Sequence, residues 1–111
     1  MTLRVVQWAT GGVGVAAIRG VLEHPELELV GCWVHSPDKA GRDVGEIAGV
    51  DPVGVAATDS VEEILALDAD AVVYTPLLPN PDEVAALLRS GKNVVSPVGW
   101  FYPSDKEAAP L

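Results

Sequence analysis

Residues 4–20, RVVQWATGGVGVAAIRG, run an apolar strand into a glycine cluster and then into a stretch with helical spacing. The stretch Leu3 to Ala9 is rich in valine and apolar on both faces, the pattern of a central parallel strand. Helical spacing continues from Val13 to Glu23, and His24 with Pro25 closes it. Dinucleotide-binding turns place G-x-G-x-x-G between such a strand and such a helix. Aligned on its last two glycines, this turn reads Ala9-Thr10-Gly11-Gly12-Val13-Gly14. Gly11 is expected to let a pyrophosphate approach the backbone, and Gly14 to let the helix pack closely on the sheet. The amides of Gly12 and Val13, at the helix N-terminus, are expected to donate to phosphate oxygens. Ala9 replaces the first glycine; an L-residue should avoid positive φ there, so the turn is expected to differ slightly or carry strain. A glycine-rich turn with no ligand is the competing reading. A phosphate loop of the Gly-Lys-Ser/Thr type fits poorly, because this helix starts Gly14-Val15-Ala16.

Outward from that unit, strand and helix keep alternating. Leu27 to Val34 reads as a second strand ended by Ser36-Pro37-Asp38. A short helix is expected around Val44 to Ala48, and a short third strand over Val53 to Ala57. Ser60 and Glu63 have capping-box spacing for a helix running to about Leu67. Ala71 to Thr75 reads as the fourth strand. Asn80-Pro81-Asp82-Glu83 starts a helix that Gly91 stops. Asn93 to Ser96 is the fifth strand. The expected fold is therefore α/β, a Rossmann-type doubly wound parallel sheet of about five strands with helices on both faces, formed by one domain over residues 1–111.

Ligands in such sheets lie at the carboxyl ends of the strands. The second strand ends Val34-His35-Ser36-Pro37-Asp38-Lys39. An NAD site usually has a carboxylate there to hold the ribose hydroxyls. Here His35 and Ser36, followed by Lys39 and Arg42, suit a 2′-phosphate, so NADP is favoured over NAD. The competing readings are a solvated loop face for Lys39 and Arg42 and a ribose carboxylate for Asp38, which after Pro37 reads rather as a turn cap. Thr75, Pro76 and Asn80 after the fourth strand, and Ser96 and Pro97 after the fifth, are candidates to line the nicotinamide end. Asn80 is equally readable as a helix cap. Trp100, Phe101 and Tyr102 form an aromatic cluster that either walls a substrate pocket or packs beneath another part of the protein.

Bulk composition narrows the partners. The 111 residues carry 16 acids against 7 bases, a formal charge of −9, with the bases scattered, which argues against nucleic acid and anionic membrane surfaces. The single cysteine, Cys32, lies in an apolar run and reads as a buried, inert thiol in a reducing, cytoplasmic setting. Met1 leads directly into strand-like sequence without a signal-peptide pattern. His24 and His35 lack ligand-spaced partners, so no metal site is expected, and no serine has nucleophile-elbow spacing.

Together, VVQWATGGVGVAAI, LELVGCWVHSPDKAGRDVGEIAG and KNVVSPVGWFYP resemble the N-terminal domain of dihydrodipicolinate reductase-like proteins, and more closely the amine dehydrogenase branch that includes 2,4-diaminopentanoate dehydrogenase. The resemblance covers nearly the whole chain. It implies an NAD(P)-dependent oxidoreductase, with cofactor contacts at Gly11, Gly12, Val13 and Gly14, at Ser36 and its basic neighbours, and after the fourth and fifth strands. Val15 departs from the family, which often has Arg or Lys directly after the last glycine. It also implies a chain about three times longer, so that the substrate and dimerisation part, with the acid–base residues, is expected beyond Leu111; Asp105 and Glu107 are the nearby carboxylates. The reaction implied is hydride transfer between nicotinamide and an imine or amine in a homo-oligomer. A non-enzymatic NAD(P)H-sensing module is the alternative, and a flavodoxin-like or receiver-like domain lacks the acidic strand ends it needs.

Overall fold

The computed structural model describes residues 2–96. Among these the elements run β1 (Leu3–Trp8), α1 (Gly12–Glu23), β2 (Leu27–Trp33), α2 (Val44–Ile47), α3 (Val61–Ala66), β3 (Ala71–Tyr74), α4 (Pro81–Arg89) and β4 (Asn93–Val95). The strands form one parallel sheet in the order β2-β1-β3-β4. The chain leaves β1 toward β2 on one side and later returns to set β3 on the other. The carboxyl end of β1 therefore lies where the strand order reverses, the usual ligand crevice of such a sheet.

Strand β1 is central because both its faces are apolar. Val5 joins α1 residues Ile18 and Val21 in one cluster with Leu29, Cys32, Val34, Val44, Ala48 and Ala57. Val6 and Trp8 face the other way, against Ile64 of α3, Val84 and Leu87 of α4, and Val72 and Tyr74 of β3. Val15, where the resembling family often has a base, packs against the first cluster instead. The pairing of β1 with β2 shifts register between Val5 and Val6, so that Leu29 and then Gly31 face them. This bulge changes the strand's parity. Leu29 and Cys32 consequently share the first cluster, while Val30 and Trp33 pack on the second.

The described residues make a four-stranded sheet, and the expected third strand over Val53 to Ala57 does not form. Its backbone groups pair with the preceding loop: Val44 N–H donates to the Val55 carbonyl, Gly41 N–H to that of Ala57, and Ala57 N–H to that of Arg42. Asp43 fixes this arrangement, its carboxylate accepting from the amides of Gly45, Glu46, Val53 and Gly54. Only at Thr58 does the segment reach β2, through Thr58 N–H to the Cys32 carbonyl and Val34 N–H to the Thr58 carbonyl, both 2.9 Å.

Helix ends follow the sequence signals closely. Ser60 Oγ accepts from Glu63 N–H at the start of α3, and Asn80 Oδ1 accepts from Asp82 N–H at the start of α4. Gly91 leaves α4 with φ +93°. Lys92 is buried just beyond, its ammonium donating to the Leu65 carbonyl and Ser90 Oγ and so tying the ends of α3 and α4 together.

Candidate functional site

The glycine turn is held from beneath. Ala9 takes φ +82°, the left-handed conformation that a glycine at this position would adopt freely. Of the two outcomes expected for alanine here, a changed turn or strain, the structure has the second: the turn keeps positive φ and Ala9 bears the strain. Two bonds compel it. Ala9 N–H donates to the Trp33 carbonyl at 2.8 Å, and the Ala9 carbonyl accepts from Gln7 Nε2 at 2.9 Å. The same Gln7 nitrogen donates to Thr75 Oγ1 at 2.8 Å, joining the ends of β1 and β3.

The three glycines differ in what surrounds them. A Cβ on Gly14 would overlap the Ala9 carbonyl oxygen and lie 3.0 Å from Thr75 Oγ1, so close packing of α1 on the turn requires glycine. A Cβ on Gly11 or Gly12 would meet no protein atom within 4 Å. Neither has positive φ. Folding therefore places no demand on these two residues, and both stand exposed at the first turn of α1.

In front of them opens a cleft of about 460 Å³. The turn from Ala9 to Val13 forms its floor, His35, Ser36 and Lys39 after β2 one wall, and Thr75, Pro76 and Leu77 after β3 the other. Lys39 reaches across to the turn, its ammonium 3.0 Å from Thr10 Oγ1. Ser36 Oγ accepts from the Asp38 amide at 3.3 Å, and the Ser36 carbonyl from that of Lys39 at 3.1 Å, which together shape this wall. Among the lining residues Lys39 supplies an ammonium group and none is a carboxylate, in a chain whose formal charge is −9.

The other sequence candidates fall outside the cleft lining. Arg42 is exposed, and its amide donates to the Lys39 carbonyl. Asn80 caps α4. Ser96 is half-buried just beyond β4. Pro97, the aromatic cluster of Trp100, Phe101 and Tyr102, and Asp105 and Glu107 lie outside the described residues.

Two supporting residues escaped the sequence reading. Gln7 is fully buried; the signal was a lone amide inside an otherwise apolar strand. Tyr74 is also fully buried, and its hydroxyl donates to Glu83 Oε1 and accepts from the Asn80 amide, both at 2.8 Å. It thereby pins the far end of the loop that carries Pro76 and Leu77 into the cleft. Burial, with the neighbouring Glu83 carboxylate, pushes the Tyr74 phenol up to about 12. Burial likewise pushes the Cys32 thiol up to about 12, against the opposing pull of Lys39. Among the described residues no group of three His, Cys, Asp or Glu is placed to hold a metal ion, and no helix is long and apolar enough to cross a membrane.

The profile of the family described as dihydrodipicolinate reductase, N-terminus, matches residues 5–98. The chain belongs to this family. Over 107 residues it is 46% identical to an amine dehydrogenase of Streptomyces virginiae, covering 91% of this chain and 29% of that one. A 4-hydroxy-tetrahydrodipicolinate reductase of Synechocystis is 36% identical over 63 residues, 57% of this chain and 23% of the relative. The solved structure of amine dehydrogenase from Mycobacterium smegmatis superposes with a TM-score of 0.81 at 25% identity, over 95% of this chain and 32% of that one. The chain thus spans about a third or less of the length of these proteins. Its fold and family are those of the NAD(P)-binding domain of oxidoreductases such as amine dehydrogenase and dihydrodipicolinate reductase.

Proposed function

We propose that the cleft at the carboxyl ends of β1, β2 and β3 binds a nicotinamide dinucleotide, with NADP preferred. The observation that carries this reading is the open space over Gly11 and Gly12 at the start of a twelve-residue helix. Two glycines that neither packing nor backbone geometry demands make sense where a ligand must touch the backbone. The amides of Gly12 and Val13 would donate to pyrophosphate oxygens, with the positive end of the α1 dipole behind them. The adenosine ribose would lie toward Ser36 and Lys39, and the nicotinamide end toward Thr75 and Pro76. The preference for NADP rests on the wall after β2. It offers a hydroxyl and an ammonium, and no carboxylate to repel a 2′-phosphate.

When bound, the dinucleotide supplies hydride chemistry, and the protein contributes position and electrostatics. The family and the 46% identity to an amine dehydrogenase favour an imine or amine as the carbon partner. Gly12→Ala tests the reading with two readouts. Added to open space in a helical conformation, the methyl should leave the fold intact and raise its stability by about 0.5 kcal/mol, because alanine has less unfolded-state freedom to lose. The same methyl stands where the pyrophosphate must approach, and NADPH affinity should fall at least ~tenfold, as a close clash of ~1.4 kcal/mol or more requires. A variant that is more stable and binds NADPH as tightly as the native chain contradicts the proposal.

A further inference from the structure

Lys39 and Thr10 form the one link across the cleft that joins the wall after β2 to the glycine turn by side chains alone, among the hydrogen bonds of the described residues. Thr10 is 8% exposed, wedged between strained Ala9 and open Gly11. A threonine hydroxyl has one proton to give and lone pairs that accept. Here an oxygen lone pair takes the Lys39 N–H at 3.0 Å, which leaves the hydroxyl proton and the remaining ammonium protons for an incoming anion. A lysine side chain is otherwise a flexible stem carrying a well-hydrated point charge. Held by a buried acceptor, its charge is set in advance where the wall after β2 meets the glycine turn.

We infer that Thr10 is the positioning residue for discrimination between NADPH and NADH, acting through Lys39 rather than through the pyrophosphate. The inference rests on the proposed dinucleotide site and adds to it the origin of the selectivity. Lys39 meets the extra phosphate of NADPH as a charge whose rotamer entropy has already been reduced, which is the advantage of preorganisation. NADH has only an uncharged 2′-hydroxyl at that point, so its affinity depends little on the link.

The test is calorimetric titration of the native chain, Thr10→Val, Thr10→Ser, Lys39→Met and the Thr10→Val/Lys39→Met double variant with NADPH and with NADH. Thr10→Val keeps the shape and removes the acceptor. It should weaken NADPH about tenfold, the scale of one hydrogen bond to a charged group, and NADH less than about twofold. Thr10→Ser should restore the native ratio of affinities. The double variant should be no worse for NADPH than Lys39→Met alone, since residues that act as one unit are not additive. Equal losses for both dinucleotides in Thr10→Val, or an unchanged ratio, would overturn the inference while leaving the site itself standing. If Thr10→Val does not fold, an unchanged ratio in Lys39→Met overturns it. Native binding of both dinucleotides with equal affinity refutes the preference and the inference together, and native binding of neither refutes the underlying site.

Discussion

Replacing Ala9 by glycine should stabilise this protein, although the change removes a half-buried methyl from the second apolar cluster. Ala9 sits at φ +82° with both its backbone groups committed, to the Trp33 carbonyl and the Gln7 amide. An L-residue in the left-handed region costs roughly 1–2 kcal/mol, which glycine releases. Against this, the greater freedom of glycine in the unfolded chain costs about 0.4–1 kcal/mol. The lost methyl, about half buried, costs about 0.4 kcal/mol. The balance is a gain of roughly 0.5 kcal/mol, or a rise in Tm of about 2–4 °C for a domain of this size. Ala9→Val should move the other way, because a β-branched residue tolerates positive φ least. Urea unfolding followed by tryptophan fluorescence reads both, Trp8 and Trp33 being stacked at 4.4 Å directly beneath the turn. A glycine variant less stable than the native chain by more than about 1 kcal/mol would refute the reasoning, since packing rather than strain would then dominate at Ala9.

Other substitutions probe the same scaffold. Gly14→Ala, whose methyl would overlap the backbone oxygen of Ala9, should lower stability by about 1–3 kcal/mol in spite of better helix propensity, and a chemical denaturation curve at or above native stability would contradict this. Tyr74→Phe removes the hydroxyl shared by Glu83 and the Asn80 amide and should cost about 1 kcal/mol, with faster amide exchange at Asn80. The Val53 amide, with those of Gly54, Gly45 and Glu46, holds the Asp43 carboxyl below its ordinary value. Its contribution to stability is therefore complete above the unfolded carboxylate value of about 3.9 and is lost as pH falls through the lower folded one. Asp43→Asn should flatten that part of the acid unfolding profile, and an unchanged profile would show that the loop does not depend on the charge. Cys32, raised to about 12 by burial, should react with thiol reagents only as fast as the protein opens, and rapid modification of the native chain would contradict its placement.

Much of this architecture was legible because its signals are local. Valine-rich runs, the Ser60 and Asn80 caps and the glycine turn each fix an element through nearby backbone chemistry. The expected third strand failed because its fate depended on a distant competitor. Asp43 gathers two amides of α2 and two of the loop that follows it, and the 53–57 backbone pairs with 41–44 rather than with β2. No periodicity reports that contest. The bulge opposite Val5 and Val6 was hidden for a related reason, since an apolar strand buried on both faces has no alternation to interrupt. At the site, sequence spacing brought the turn, Ser36 and Lys39 to one cleft. It could not separate Lys39, which reaches Thr10, from Arg42, which lies outside the cleft lining. Nor could it tell that the first position of the turn would be strained rather than rebuilt, because that depends on the grip of Gln7 and Trp33.

The central claim is that the exposed glycines at the start of α1 receive a nicotinamide dinucleotide. Isothermal titration of the chain with NADPH and then with NADH tests it most directly. Saturable binding of both at one site, with NADPH tighter by about tenfold for one well-placed charge contact, is the predicted result. Absence of heat or saturation with either dinucleotide would contradict it.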